Sequence, residues 1–467
     1  MSHPTDADRA SLSRRQVLQA GGLGALAMSV PGAVIARPSV DPAGRGAPEK
    51  NCIFILLCGG PSHLDTWDLK PESPAEIRGP YLPISTAVPG MQISELHTRL
   101  AKLTDRFCLI RSMKHAGNIA NHFDAMHNLL SGQSSGPPDD SPYLGSIVAR
   151  FRPSRRNVLS YAWLIKCVGR PVFCAPNIGA AGQLGAVYAP VFVGSADNHP
   201  AMPDFKPPEL YHVAQPERLP ERRRLLEGLD AASPLGERNA PEWDDLRRKA
   251  FEMVDSPEGR QAFQMDREPT AVRDRYGRHP LGQNLLLARR LVEAGIRFVT
   301  VNGWTGQAPD KGGGPPSSSW DMHGGNMGMG DAFGNGSYGM GWCLPRLDEA
   351  LSALLADLED RGMLENTLVV VVGEFGRSPK IVNSGNNPGR LHWPDCFSAI
   401  LAGAGVRGGA VYGASDKIGA YVKDKPVLPQ DLGATVYHAL GVPLDERLGN
   451  DRARPITTGT PIMELFG

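Results

Sequence analysis

The sequence predicts a doubly wound α/β fold around one mostly parallel sheet. Three observations carry that expectation: continuous apolar runs, turn residues that close them, and amphipathic helical segments between them. Residues 51–58 (Asn-Cys-Ile-Phe-Ile-Leu-Leu-Cys) are nearly all apolar and break at Gly59-Gly60-Pro61, as a central strand covered on both faces should. Glu95 to Asp105 reads as a helix, with Leu96, Leu100 and Leu103 on one face, feeding a strand from Phe107 to Arg111. A helical stretch from His122 to Leu130 follows. Helix Leu281 to Ala294 then leads through Gly295 into a strand, Ile296 to Val301.

The strongest amphipathic helix runs from Leu344 to Arg361. Its apolar face is Leu347, Leu351, Leu354, Leu355 and Leu358, and Gly362 terminates it. Strands Thr367 to Val372 and Phe397 to Ala402 come next, then a short helix from Asp431 to Leu440 that stops near Gly441. Residues 37–467 are therefore expected to form a single large domain with loop insertions around 168–242 and 303–341. The second insertion holds Gly312-Gly313-Gly314-Pro315-Pro316 and three serines, too much turn chemistry for a long regular element. It is either an active-site rim or an ordinary surface loop.

The N-terminus carries an address. Ser13-Arg14-Arg15-Gln16-Val17-Leu18, followed by small and apolar residues to Ala36, reads as a twin-arginine signal over residues 1–36. It implies the twin-arginine export machinery as a partner and a periplasmic or extracellular location, or a membrane anchor if the leader is retained. The balance of 49 basic and 49 acidic residues, with no basic stripe, excludes a nucleic-acid binder. No second apolar run of about 20 residues suggests an integral membrane body. Seven cysteines in 467 residues do not make a disulfide scaffold.

The candidate chemistry lies at strand ends. Asp65, Asp68, Asp321, His323, Glu374 and His392 can supply oxygen and nitrogen ligands to a divalent metal. Asp321 and His323 are two apart and can converge on a bent loop, helped by Gly324-Gly325; the alternative is a turn cap and a surface histidine. Arg377 lies three residues after Glu374, where its fork either faces an anionic substrate or pairs with the glutamate. His392 either completes a metal shell, transfers a proton, or ties its loop to the sheet. Ser112 closes the Phe107 strand and is the nucleophile candidate, with His115 and His122 as acid-base candidates.

Other motifs fail their context. Gly132-Gln133-Ser134-Ser135-Gly136 lacks a strand-turn-helix setting, and no helix follows the dinucleotide-type Gly403 to Gly408 pattern. There is no zincin motif and no Walker loop.

In combination, Cys58-Gly59-Gly60-Pro61-Ser62-His63-Leu64-Asp65-Thr66-Trp67-Asp68, Arg111-Ser112-Met113, Trp320-Asp321-Met322-His323-Gly324, Gly373-Glu374-Phe375-Gly376-Arg377 and His392-Trp393-Pro394 resemble an exported bacterial family. This is domain-of-unknown-function family 1501, related to the alkaline phosphatase and sulfatase superfamily. The resemblance implies an alkaline-phosphatase-like sheet with metal-oriented chemistry at one edge. It makes Asp65 or Asp68 the first acidic position, Asp321 and His323 the Asp/His metal segment, and His392 a terminal histidine ligand.

Three departures stand out. Phe375 follows Glu374 where the superfamily often has histidine, and an insertion separates Gly303-Trp304 from Asp321. Neither Cys174-Ala175-Pro176-Asn177-Ile178 nor Cys343-Leu344-Pro345-Arg346-Leu347 matches a formylglycine site, and the phosphatase Asp-Ser-Ala signature is absent. The expectation is an exported hydrolase of phosphate or sulfate esters. It would use one or two divalent ions (zinc, calcium, magnesium or manganese, undistinguished) on an anionic ester or carbohydrate substrate. The alternative is a catalytically inactive envelope binding or assembly protein on the same fold.

Overall fold

A computed structural model describes residues 49–467 apart from 118, 134–140, 157, 166–180, most of 208–256, 310–318, 385 and 449–453. The leader and its export reading lie outside the described residues, as does most of the 168–242 insertion.

The core is an eight-stranded sheet: β1 (Asn51–Leu56), β2 (Phe107–Met113), β3 (Tyr161–Leu164), β4 (Val191–Val193), β5 (Phe298–Asn302), β6 (Thr367–Val372), β7 (Phe397–Ala402) and β8 (Val411–Tyr412). Their spatial order is β8-β2-β7-β6-β1-β5-β3-β4. β1 pairs in parallel with β5 and β6, while β7 is antiparallel to both its neighbours, β2 and β6. The sheet is thus mostly parallel, with one reversed strand.

Both faces are covered, which explains the unbroken apolar runs. Along β1, Ile53 and Ile55 enter one core with helices α3 (Pro280–Glu293) and α4 (Met340–Asp360). Cys52, Phe54 and Leu56 enter the other, with α1 (His122–Ser131), α2 (Leu144–Phe151) and α5 (Pro429–Leu440). In α4 the predicted stripe Leu347, Leu351, Leu354, Leu355 and Leu358 is fully buried. Truncating any of these leucines to alanine costs about 2–5 kcal/mol.

Three boundaries differ from expectation. Helix α4 starts at Met340, earlier than Leu344, and Pro345 lies inside it, removing one backbone donor without ending the helix. The Glu95–Asp105 helix is instead a 3-10 run, Leu100–Arg106. The Asp348 carboxylate on α4 accepts from Arg99 N (2.9 Å) and Leu100 N (2.7 Å), so the run begins there. Within the 168–242 insertion, Val191–Val193 is the edge strand of the central sheet, parallel to β3.

The topology sets where chemistry can sit. The carboxyl ends of β1, β2, β5 and β6 share one edge, and reversed β7 brings its amino end to the same edge. Residues 57–68, 114–117, 119–122, 303–309, 319–339, 373–377 and 392–396 therefore meet there. Among the described residues, no helix is long and apolar enough to cross a membrane.

Candidate metal centre

Each side chain reaches this edge by a distinct local device. After β1 the chain turns at Gly59 with φ of 115°, and a Cβ there would lie 2.2 Å from Asp321 N. Only glycine lets the β1 turn press against the Asp321 segment. That contact lets Gly59 N–H donate to both oxygens of Glu374, at 2.8 and 3.1 Å. His122 opens α1, whose cap is Asn121 accepting from Asp124 N at 2.9 Å. His392 and Trp393 pair antiparallel with Gly376 and Arg377 in a two-residue ribbon. His323 is held beside Gly389, where a Cβ would meet the His323 backbone at 2.3 Å.

Four side chains converge. His122, Asp321, His323 and His392 each present one ligand atom, and those atoms lie within 4.8 Å of one another. The Nε2 atoms of His323, His122 and His392 lie 3.1, 3.4 and 3.6 Å from Asp321 Oδ1. Asp321 is 1 % exposed and His392 21 % exposed, so the cluster opens to solvent on the His392 side.

Hydrogen bonds fix how the imidazoles point. His392 Nδ1 lies 2.7 Å from the carbonyl of Ala120, which can only accept, so Nδ1 carries the proton. His122 Nδ1 lies 2.6 Å from Glu374 Oε1 and donates to that carboxylate. In the neutral form of each ring, Nε2 then presents its lone pair inward. His323 Nε2 is 2.7 Å from His392 Nε2, a pairing that needs a positive charge or a proton between the two nitrogens. Three directed nitrogens and one carboxylate oxygen, with a carboxylate backing His122, fit one divalent ion of the zinc type. Calcium and magnesium prefer all-oxygen shells.

Without an ion, the electrostatics favour a protonated His122 that donates to both carboxylates, and a metal at Nε2 would have to displace that proton. Burial alone would raise the Asp321 pKa, but the Arg377 guanidinium and hydrogen bonds from the three histidines hold it well below the ordinary value. Burial opposes a charge on His122, yet its bonds to Asp321 and Glu374 push its pKa up to about 9. His392 is pushed down by burial.

The remaining predicted residues sit elsewhere or play a different part. Glu374 is not among the converging donors: its oxygens serve His122 and Gly59. Arg377 is fully buried; Nη2 meets Asp321 Oδ1 at 2.6 Å, and its other bonds reach the carbonyls of Gly59, Gly60 and Arg390. Those bonds leave no fork for a substrate. Asp65 is buried against Arg390, whose Nε and Nη2 bond its two oxygens at 2.7 and 3.2 Å, and Ser62 Oγ adds a third bond. Asp68 pairs with Lys70 at 2.9 Å and accepts from Ser415. A carboxylate so engaged is not free to join the cluster.

Ser112 is fully buried, and its Oγ lies where a Cβ on Gly413 would come within 2.0 Å, so its hydroxyl is enclosed beneath that loop. His115 Nε2 bonds the Glu374 carbonyl at 2.5 Å and holds the backbone behind the cluster; burial lowers its pKa. Arg390, unnoticed in the sequence, is the partner that closes off Asp65. The only signal was its position two residues before His392.

Several solved structures resemble the chain at low similarity. A sulfatase from Pseudoalteromonas sp. is 13 % identical, with 85 % of this chain and 68 % of that chain covered and a TM-score of 0.35. A phosphonate monoester hydrolase from Silicibacter pomeroyi is 11 % identical, with 89 % and 76 % covered and a TM-score of 0.38. An alkaline phosphatase from the Antarctic bacterium TAB5 is 11 % identical, with 78 % and 95 % covered and a TM-score of 0.34. No curated protein matches the sequence. The family model described as "Protein of unknown function (DUF1501)" matches residues 49–466, and the chain belongs to that family.

Proposed function

We propose that the protein is an exported, metal-dependent hydrolase of phosphate or sulfate esters. The observation that carries this reading is the convergence of one ligand atom each from His122, Asp321, His323 and His392 within 4.8 Å, with two of the imidazoles oriented from behind. Such a set is made to hold a cation, and the exposed His392 side leaves a face open to a substrate. A bound divalent ion supplies Lewis-acid polarisation of an ester oxygen and acidifies water.

The chain's own residues have separate tasks in this reading. His122, His323, His392 and Asp321 are the ligands. Glu374 fixes the His122 ring, and Arg377 positions Asp321 while offsetting its charge. The nucleophile is water, because the Ser112 hydroxyl is enclosed. Export through the twin-arginine route, which carries folded cargo, lets the ion be loaded before the protein leaves the cytoplasm.

The test is metal analysis of the purified full chain, together with a panel of aryl phosphate and sulfate esters. Bound zinc-type metal with turnover that disappears in Asp321→Ala and His392→Ala supports the reading. Bound metal with no turnover across the panel would move the protein to the alternative, an envelope binding protein on a metal-stabilised fold. A chain that takes up no metal ends the reading altogether.

A further inference from the structure

The cluster's surroundings fix how much charge it can hold. Arg377 is 0 % exposed and bonded to Asp321 and to the carbonyls of Gly59, Gly60, Trp320 and Arg390, so its positive charge cannot swing away. Phe375, also fully buried, packs its ring 4.9 Å from the His122 ring and 4.5 Å from the His392 ring, centroid to centroid. It fills space beside the ligands and brings no donor atom. The nearby carboxylates are spoken for: Glu374 by Gly59 and His122, Asp65 by Arg390 and Ser62, Asp68 by Lys70 and Ser415. Among the described residues, no second group of donors converges elsewhere.

We infer that the centre takes a single divalent ion, with Arg377 as a fixed second positive charge, and is matched to singly charged esters: sulfate monoesters or phosphodiesters. This rests on the hydrolase reading and narrows its substrate class. Asp321 and Glu374 each contribute one negative charge, Arg377 one positive charge and the ion two, while ligating imidazoles are neutral. The adjoining Arg390–Asp65 pair cancels. The loaded centre therefore carries one net positive charge. A monoanion neutralises it. A phosphate monoester, doubly charged at mildly alkaline pH, leaves an excess negative charge in a largely buried site, where uncompensated charge is costly. A second ion would reverse that balance, but among the described residues no further group of donors converges to hold one.

The experiment uses the full-length protein, stripped with chelator and titrated with zinc. One tightly bound ion per chain is expected, and two of comparable affinity would overturn the inference. The zinc-loaded protein is then offered 4-nitrophenyl sulfate and bis(4-nitrophenyl) phosphate as monoanions, against 4-nitrophenyl phosphate at pH 8. Preference for the better monoanion should be at least roughly tenfold, read as kcat/KM or, without turnover, as competitive binding. Equal or inverted preference would overturn charge matching while leaving the one-ion site standing. Failure to bind zinc at all would instead bring down the hydrolase reading beneath it. Arg377→Lys keeps the charge but loses the fork that reaches Asp321 and the carbonyls, so it should weaken monoanion binding less than neutral Arg377→Met, which should weaken it at least about tenfold. Unchanged binding in Arg377→Met, with fold verified by circular dichroism, would overturn the role given to the arginine.

Discussion

Two buried arginine–aspartate pairs sit side by side at the same sheet edge, and only one belongs to the candidate centre. Arg390 and Asp65 are each at most 1 % exposed, and so are Arg377 and Asp321. The pairs even touch, since Arg377 Nη1 donates to the Arg390 carbonyl at 3.1 Å. Asp65, however, meets the arginine fork and a serine hydroxyl, all donors, and its charge is settled within the protein. Asp321 Oδ1 meets one guanidinium nitrogen and then three imidazole nitrogens, at least two of which have their proton on the far side. An acidic residue at a strand end is thus not a ligand by position. What faces it decides.

The sharpest way to break this comparison is Asp65→Ala. It strands the Arg390 charge in the interior and should cost about 3–5 kcal/mol in chemical denaturation, while the folded fraction still binds zinc. Loss of zinc with little loss of stability would exchange the roles assigned to the two pairs. His392→Ala should do the reverse. Its partly exposed side chain contributes within about 1 kcal/mol to the stability of the metal-free protein. Zinc affinity, measured by chelator competition, should nevertheless fall about 100-fold or more because a direct ligand is gone. Glu374→Gln is gentler: it keeps an oxygen for Gly59 N–H but weakens the acceptor behind His122. A loss of about 10- to 100-fold in zinc affinity is expected. No change would mean that Glu374 serves only the backbone turn.

The contrast also explains what could be read in advance. Strands such as Thr367–Val372 and Phe397–Ala402 were legible to the residue, because burial on both faces writes itself as an unbroken apolar run. The three-residue edge strand Val191–Val193 was not, since its segment is dominated by turn residues and only its sheet neighbour makes it a strand. At the site, Asp321, His323 and His392 were legible as donors. Their division from Asp65, Asp68 and Glu374 was not. That division depends on Arg390, Lys70 and His122, which reach these carboxylates from 325, 2 and 252 residues away. His122 was expected as an acid-base group, yet its ring points into the cluster because Glu374 holds it there. Spacing along the chain carries no record of the distant partners, Arg390 and His122.

A third buried guanidinium supplies the control with the smallest expected effect. On the far side of the sheet, between α3 and α4, Arg289 is 1 % exposed and pairs with Glu268 at 2.8 Å and Asp357 at 3.0 Å. Tyr276 also donates to Asp357 at 2.8 Å, and no imidazole takes part. Burial alone would raise both carboxyl pKa values. For Asp357, the Arg361 hydrogen bond and the Arg289 charge override it; for Glu268, Arg289 and Arg290 do. Both therefore lie below their ordinary values of 3.8 and 4.5. A carboxylate with a depressed folded pKa stabilises the fold fully above its unfolded value, and the benefit fades as pH falls through the folded one. Stability should accordingly decline as pH drops below about 4, in zinc-free and zinc-loaded protein alike. Asp357→Asn should flatten that decline at some cost in stability at neutral pH, leaving zinc affinity unchanged. If the acid decline instead vanished only when zinc was removed, the Arg289 network could not be its source, and the acid sensitivity would belong to the histidine cluster.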